Sequence, residues 1–449
     1  MKSPSSGAPS RDPGNDPLLA AWANTLRKNR GAPAIFDSQG QIQRTFDDIE
    51  ERARNLEPAI AGPIFPIDVG NHPDWPSLLL ASLRRGAIAL PLESTITGQQ
   101  REAALRICEG ITSINPRPVL LKLTSGTTAA PRAIRFRSEQ LLADCNQICD
   151  TMGIRPDDVN FGVIPLSHSY GFSNLVTPLL VLGVPLVLSR DRMPRAVLGG
   201  LVTNGATVFP GMPVFYQAFC EMENAPALPK LRLCLSAGAP LPLEVARKFR
   251  EKFRHSIHSF YGSSECGGIC YDREARLEES GFVGQPMNGT KVEFLDREAK
   301  SGRIRLQTPA AGDGYFPEPD NEKLGGGFFM PDDLLTRSND GFRIVGRMSD
   351  VINVAGKKVN PAEVEAELLR YAGVRAAVVF GRESARRTEQ VEACVAASGT
   401  LDEAGLLEFC RQRLSGWQVP KRIFFVDEIP VNERGKVSRR DLATRFGAD

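Results

Sequence analysis

The sequence predicts a large layered α/β body with mixed and parallel sheets, followed by a small α+β domain. Three observations carry this. The chain has 449 residues, too many for a single hydrophobic core, so two or three compact units are expected. From Leu18 onward, helix-like and strand-like segments alternate, which is the pattern of strands joined by crossover helices. Beyond Ser349-Asp350 the pattern becomes a helix start, two strand-like runs, a helix and a further strand, enough for a compact α+β unit.

The elements follow in order. Residues 1–16 carry Pro4, Pro9 and Pro13 among small polar residues and are expected to be a disordered tail. Leu78–Leu83 reads as a helix and Ala87–Leu92 as a strand. The apolar run Val119–Leu123 ends a further strand. Residues 175–188 are apolar but interrupted by Pro178, Gly183 and Pro185, which suits a buried helix and strand and is too short for a membrane span. Leu231–Leu235 is a strand. Val245, Phe249 and Phe253 recur at intervals of four and mark one helical face. Asn360-Pro361-Ala362-Glu363 is a helix start, with an N-cap, a proline at the first helical position and an acid three residues after the cap. Val364 and Leu368 continue that face. Ala376–Phe380 and Val391–Ala397 are strands, Glu403–Leu414 a helix and Ile423–Val426 a strand. The expected division is 17–348 for the body and 349–449 for the small domain, joined near Ser349.

Composition excludes several classes. Lys plus Arg number 55 against 53 Asp plus Glu, which gives no footing for nucleic-acid binding. Nine cysteines include no C-x-x-C pair, so neither a zinc site nor a disulfide framework is indicated. Cys145 and Cys149 sit at helical spacing as core thiols, and Cys266 and Cys270 flank a motif discussed below. No apolar run follows Lys2, so no signal peptide is read and a reducing cytoplasm is the expected compartment.

Chemistry enters at Thr124-Ser125-Gly126-Thr127-Thr128, four hydroxyl residues and a glycine in succession, closed by Arg132. Such a loop offers backbone N–H groups, hydroxyl donors and one cation to a polyphosphate, with Gly126 permitting close approach. It is not a P-loop, since Pro131-Arg132-Ala133 stands where Gly-Lys-Ser/Thr would be needed. Taken alone it reads equally as a polar turn.

Four further segments follow: Tyr-Gly-Ser-Ser-Glu at 261–265, Phe-Met-Pro-Asp-Asp-Leu at 329–334, Gly-Arg-Met-Ser-Asp-Val-Ile-Asn-Val-Ala-Gly at 346–356, and Pro-Val-Asn-Glu-Arg-Gly-Lys-Val-Ser-Arg at 430–439. With all five in this order, from about Thr45 to Leu442, the chain resembles the acyl-adenylate-forming superfamily of acyl-CoA synthetases, stand-alone adenylation domains and luciferase-like enzymes. The resemblance implies an ATP-dependent acid–thiol ligase. A carboxylate attacks the α-phosphorus of ATP and expels pyrophosphate; a thiol then takes the acyl group and expels AMP. CoA is the implied thiol, with a separate acyl carrier protein as the alternative. A non-catalytic nucleotide-binding protein is the alternative of another class.

The residue roles come from the same resemblance. Glu265 would hold Mg²⁺, for which a carboxylate is a suitable hard ligand. Lys436 would bridge the acid and the α-phosphate as charge builds there. Thr124, Ser125, Gly126, Thr127, Thr128 and Arg132 would meet the phosphates. Ala237, Gly238, Ala239 and Pro240 would lie against adenine, with Tyr261, Gly262 and Ser264 beside it. Asp333 would accept from the ribose hydroxyls and Arg347 would reach the ribose and phosphate edge. His168, Phe172, Ser236, Gly267 and Gly268 would line the acyl pocket. The paired glycines are expected to leave room for a bulky or long apolar acid, fatty or aromatic, and no acidic residue is recognisable as a partner for a substrate amino group. Gly356 would line the thiol tunnel and Ser349 would be the hinge. Ala129 after the two threonines, Arg132-Ala133 in place of Lys-Gly, Pro331-Asp332 before Asp333, and Ser349 itself depart from the common pattern.

Overall fold

Asp16 sets the first helix, Pro17–Asn29, by accepting hydrogen bonds from the amides of Leu18 and Leu19. Its other carboxylate oxygen accepts from Ser138 Oγ at 2.6 Å, which ties this helix start to a second one. The computed structural model describes residues 15–124, 131–275, 279–296, 298–383, 389–430 and 437–446. The expected tail therefore lies outside the described residues up to residue 14.

The described residues fall into two compact units. The larger takes those of Met1–Leu295 with Arg305–Pro331 and Arg337–Arg343; the smaller takes those of Asp296–Ile304, Asp332–Thr336 and Ile344–Asp449.

In the larger unit a central sheet runs through Ile42–Thr45, Pro33–Asp37, Leu186–Leu188, Asn160–Gly162, Val208–Gly211, Leu233–Ser236, Ile257–Ser263, Gly267–Tyr271 and Phe282–Pro286. Pairings from Pro33–Asp37 to Ile257–Ser263 are parallel; those beyond Ile257–Ser263 are antiparallel. The parallel strands Leu186–Leu188, Val208–Gly211 and Leu233–Ser236 are buried along their whole length and mostly apolar, as central strands covered on both faces are. Helices cover them. In Leu243–Phe253, Phe249 and Phe253 turn inward and meet at 4.8 Å, and Tyr216 packs edge-on against Phe249 at 5.0 Å.

A second sheet holds Ile64–Ile67, Ile88–Pro91, Leu120–Leu123, Ala133–Phe136 and Gly314–Phe316, in that order. Its strands Leu120–Leu123 and Ala133–Phe136, joined in sequence by the hydroxyl-rich segment, pair with each other, and the distant strand Gly314–Phe316 pairs with Ala133–Phe136 so that Tyr315 stands opposite Ile134. This long-range pairing matters below.

The smaller unit has a sheet of Val374–Glu383, Glu389–Ala397 and Ile423–Val426, packed by the helices Pro361–Leu368 and Glu403–Arg411. Asn360 caps the first of these helices through the Ala362 amide, and Val364 and Leu368 are fully buried. Arg439 joins this unit's last helix to Asp350 at 3.0 Å and to Glu365 at 2.8 Å. No described helix of either unit is long and apolar enough to cross a membrane.

Candidate active site

The strand order reverses around Asn160–Gly162. The chain passes from there to Leu186–Leu188 on one side and then to Val208–Gly211, Leu233–Ser236 and Ile257–Ser263 on the other. In open parallel sheets the carboxyl ends of strands at such a reversal form a crevice for ligands. The predicted segments leave from those ends. Ser236-Ala237-Gly238-Ala239-Pro240 follows one strand, with Ser236 and Ala237 buried, Gly238 at φ +84° and Gly238, Ala239 and Pro240 exposed. Tyr261, buried, and Gly262, exposed, end the next strand. A Cβ at Gly262 would come within 2.8 Å of the Gly267 carbonyl, so the close strand pairing demands glycine there. His168 caps a short helix on an exposed rim, and Ser169 Oγ donates to Ser264 Oγ at 3.0 Å.

Glu265 stands at a corner where both sheets contribute. One of its oxygens accepts from Ser263 Oγ and the other from Tyr315 Oη at 3.1 Å. The Arg132 guanidinium lies 4.0 Å from the Tyr315 ring centroid. Burial, then the Glu265 charge, pushes the Tyr315 phenol far above its ordinary range, so it stays a donor. Thr124 and Arg132 close the base of the hydroxyl-rich loop: the Thr124 amide donates to the Arg132 carbonyl at 2.8 Å, and Thr124 Oγ1 accepts from the Arg132 amide at 3.2 Å. Ser125, Gly126, Thr127, Thr128 and Ala129 lie outside the described residues. Glu265 is half-buried and engages one hydroxyl per oxygen, which leaves lone pairs for a hard cation. Among the described residues no cluster of three or more His, Cys, Asp or Glu could hold an ion unaided. A Mg²⁺ at this corner would rest on Glu265, nucleotide phosphates and water, a set that suits that ion.

The acyl side differs from the sequence reading. Gly267, at φ +67°, does not open space: a Cβ there would overlap the Asp144 carboxylate. Beside Gly268 the space is filled by Met287 and Phe260, each with atoms 3.2 Å from an added Cβ. The glycines admit the protein's own side chains, not a bulky acid. Asp144 stands behind Gly267 at this wall, with both its oxygens engaged. It accepts from Ser173 Oγ at 2.5 Å and from the Gly268 amide at 3.0 Å. Burial raises its carboxyl above the ordinary range, opposed by Lys122 and the two hydrogen bonds. Phe172 is buried edge-on against Trp75 at 5.9 Å. Ser236 Oγ is buried and has no hydrogen-bond partner among the described residues. Tyr170 donates to the Gly211 carbonyl at 3.2 Å and packs on Phe260. Cys266 and Cys270 are fully enclosed and raised by burial, so neither is a reactive thiolate. Cys145 and Cys149 lie in the apolar core.

In the smaller unit Arg347 donates to Asp333 at 2.7 Å, from the strand Gly341–Arg347 to the strand Asp333–Ser338. Ser349 lies in the short turn Met348–Asp350 and donates to Asp350 at 3.2 Å. Gly356 is at φ +86° and follows Ala355 at φ +50°, the two central positions of a tight hairpin joining Ile352–Val354 to Lys357–Val359. That turn alone accounts for the glycine, and a Cβ there would meet nothing within 4 Å. Lys436 lies outside the described residues.

Four residues escaped the sequence reading: Tyr315, Lys122, Asp144 and Ser173. Tyr315 carries no motif signal, since only the pairing of Gly314–Phe316 with Ala133–Phe136 delivers it. Lys122 and Asp144 did carry a signal. Lys122 interrupts an apolar strand, and Asp144 falls on the buried face of a helix with Leu141, Cys145 and Ile148.

Comparison with known proteins agrees with this geometry. Residues 112–316 match the family described as AMP-binding enzyme, and residues 363–436 match the AMP-binding enzyme C-terminal domain. A feruloyl-CoA synthase of Amycolatopsis sp is 31% identical over 343 residues, covering 73% of this chain and 70% of the relative. A 3,4-dihydroxybenzoate–[aryl-carrier protein] ligase of Bacillus anthracis is 28% identical over 336 residues, covering 74% of this chain and 76% of that one. The ATP-bound structure of MatB from Rhodopseudomonas palustris superposes with a TM-score of 0.84 at 22% identity, over 95% of this chain and 99% of the other, which establishes a shared fold. The chain belongs to the AMP-binding enzyme family and is an adenylate-forming acid–thiol ligase.

Proposed function

We propose that the protein converts an aromatic carboxylic acid and CoA into an acyl-CoA thioester through an acyl-adenylate. The Arg132–Tyr315–Glu265 chain carries this reading. It links the base of the hydroxyl-rich loop to the Tyr-Gly-Ser-Ser-Glu segment and sets a cation and a carboxylate on either side of one ring. Such prior placement suits a step in which an anion must approach a polyphosphate. The carboxylate oxygen bonds to the α-phosphorus as the bond to pyrophosphate breaks. The thiol sulfur then bonds to the acyl carbon as AMP leaves, its proton passing to solvent.

Mg²⁺ held at Glu265 would supply charge neutralisation at the phosphates. Asp333 and Arg347, which pair directly, would serve the ribose. Lys436 belongs to the first step and Gly356 to the second, and the domain 349–449 would turn about Ser349 between them. The aromatic acid is favoured over a long fatty one because the space beside Gly267 and Gly268 is filled, and because the feruloyl-CoA synthase relative acts on such an acid by its name. The test is to incubate the protein with ATP, Mg²⁺, CoA and a panel of aromatic and fatty acids, and to quantify products by mass spectrometry. Equimolar AMP, pyrophosphate and aroyl-CoA are expected. Adenylate without thioester, relieved by a carrier protein, would move the reading to carrier loading. ADP as product would overturn it.

A further inference from the structure

Lys122 lies in the strand Leu120–Leu123, whose side chains alternate between faces. Leu121 joins the apolar cluster of Ile88, Leu90 and Ala133. Lys122 faces the other way and is only 6% exposed. Its ammonium sits 4.6 Å from the Phe136 ring centroid and 5.3 Å from that of Phe172. Those faces attract the charge but do not saturate three N–H donors. Among the described residues Nζ makes no hydrogen bond and no contact ion pair. Burial lowers the Lys122 pKa, and the Asp144 and Glu265 carboxylates oppose this at longer range. Both Asp144 oxygens already hold other donors, Ser173 Oγ and the Gly268 amide. A lysine enclosed merely to balance Asp144 would be expected in contact with it. This one is held off, with donors unspent, beside Phe172.

We propose that Lys122 is the specificity-determining residue that reads an oxygen acceptor on the acyl portion of the acid, so that hydroxylated or dicarboxylic acids are preferred over hydrocarbon acids of the same size. This rests on the reading of Phe172, Gly267 and Gly268 as the acyl wall. A hydrocarbon pressed against the ammonium leaves its donors unpaired, whereas an oxygen acceptor satisfies them. The difference corresponds to about tenfold or more in binding.

The experiment is acid-dependent exchange of labelled pyrophosphate into ATP. It uses an unsubstituted aryl acid, its 4-hydroxy counterpart and an aryl dicarboxylic acid of matched length. The parent is compared with Lys122→Met, with Lys122→Met/Asp144→Asn and with Phe172→Leu. The double variant removes the buried charge left behind and carries the comparison where the single one does not fold. In the parent, an oxygenated acid should have a KM about tenfold or more below the unsubstituted one. Whether the hydroxyl or the second carboxylate gains more identifies the acceptor. Lys122→Met should bring the acids to within about twofold of each other through KM, with the KM for ATP unmoved. No preference in the parent, or equal losses for all acids in the variants, overturns the proposal. If Phe172→Leu shifts acid KM while the Lys122 variants keep the parent's selectivity, the acyl wall stands and the role of Lys122 falls. If Phe172→Leu moves no acid KM, the acyl-wall reading falls and this proposal with it.

Discussion

Glu265 and Asp144 are both carboxylates of the larger unit, yet their surroundings differ in kind. Glu265 is half-buried at a strand end and meets two hydroxyls, with Arg132 stacked beyond one of them. Asp144 is enclosed within the fold, accepts from a hydroxyl and a main-chain amide, and displaces the side chain that Gly267 lacks. The first keeps lone pairs and solvent access that a hard cation could use. The second is spent on holding a helix against a strand. A carboxylate near a crevice therefore indicates chemistry only when its acceptor capacity is left over.

The largest effect is expected at the proposed adenylation lysine. Lys436→Ala should lower adenylation by about two decades or more, since it removes a charge contact made in the transition state. Thioester formation from pre-made acyl-adenylate should survive. Single-turnover assays of the two half-reactions check this, and equal loss in both would dissolve the assignment.

On the Asp144 side the expected effect is on folding. Gly267→Ala puts a Cβ into the Asp144 carboxylate at a backbone φ of +67°. It should cost about 2 kcal/mol of stability, read as a lowered denaturation midpoint. Unchanged stability would mean that Asp144 yields easily, and the contrast with Glu265 would weaken.

A smaller effect sharpens the comparison. Tyr315→Phe keeps the ring beneath Arg132 and removes only the donor to Glu265. The Mg²⁺ concentration for half-maximal adenylation should move by about twofold to fivefold, the worth of one hydrogen bond to a charged group that water can partly replace. Stability should barely change. A large loss of stability with unaltered Mg²⁺ dependence would make Tyr315 a structural residue like Ser173.

Much of this was legible in the sequence, for identifiable reasons. The Asn360-Pro361 helix start, the Val245–Phe253 face and the strand Ile423–Val426 are encoded locally, and the structure has them. The order of the five motifs identified the family because each motif is contiguous. What stayed hidden was assembled at a distance. Tyr315 reaches Glu265 only through strand pairing with Ala133–Phe136, and Asp144 reaches Gly267 only through helix packing. The paired glycines were misread because glycine signals a close approach without saying what approaches. Lys122 in an apolar strand and Asp144 on the buried face of a helix were overlooked cues that local reasoning could have used, since their periodicities put both inside.

The central claim is that the corner at Glu265 serves ATP and its metal while the wall at Phe172 serves the acid. Acid-dependent pyrophosphate–ATP exchange, with Mg²⁺, ATP and acid each varied in turn, tests it in Glu265→Gln and Phe172→Leu. Glu265→Gln should raise the Mg²⁺ requirement by about tenfold, because an amide is a poorer ligand for a hard cation, and leave the KM for acid within about twofold. Phe172→Leu should shift the KM for acid and leave the Mg²⁺ and ATP dependence at the parent values. Parallel shifts of all three constants in both variants would contradict the division of the site.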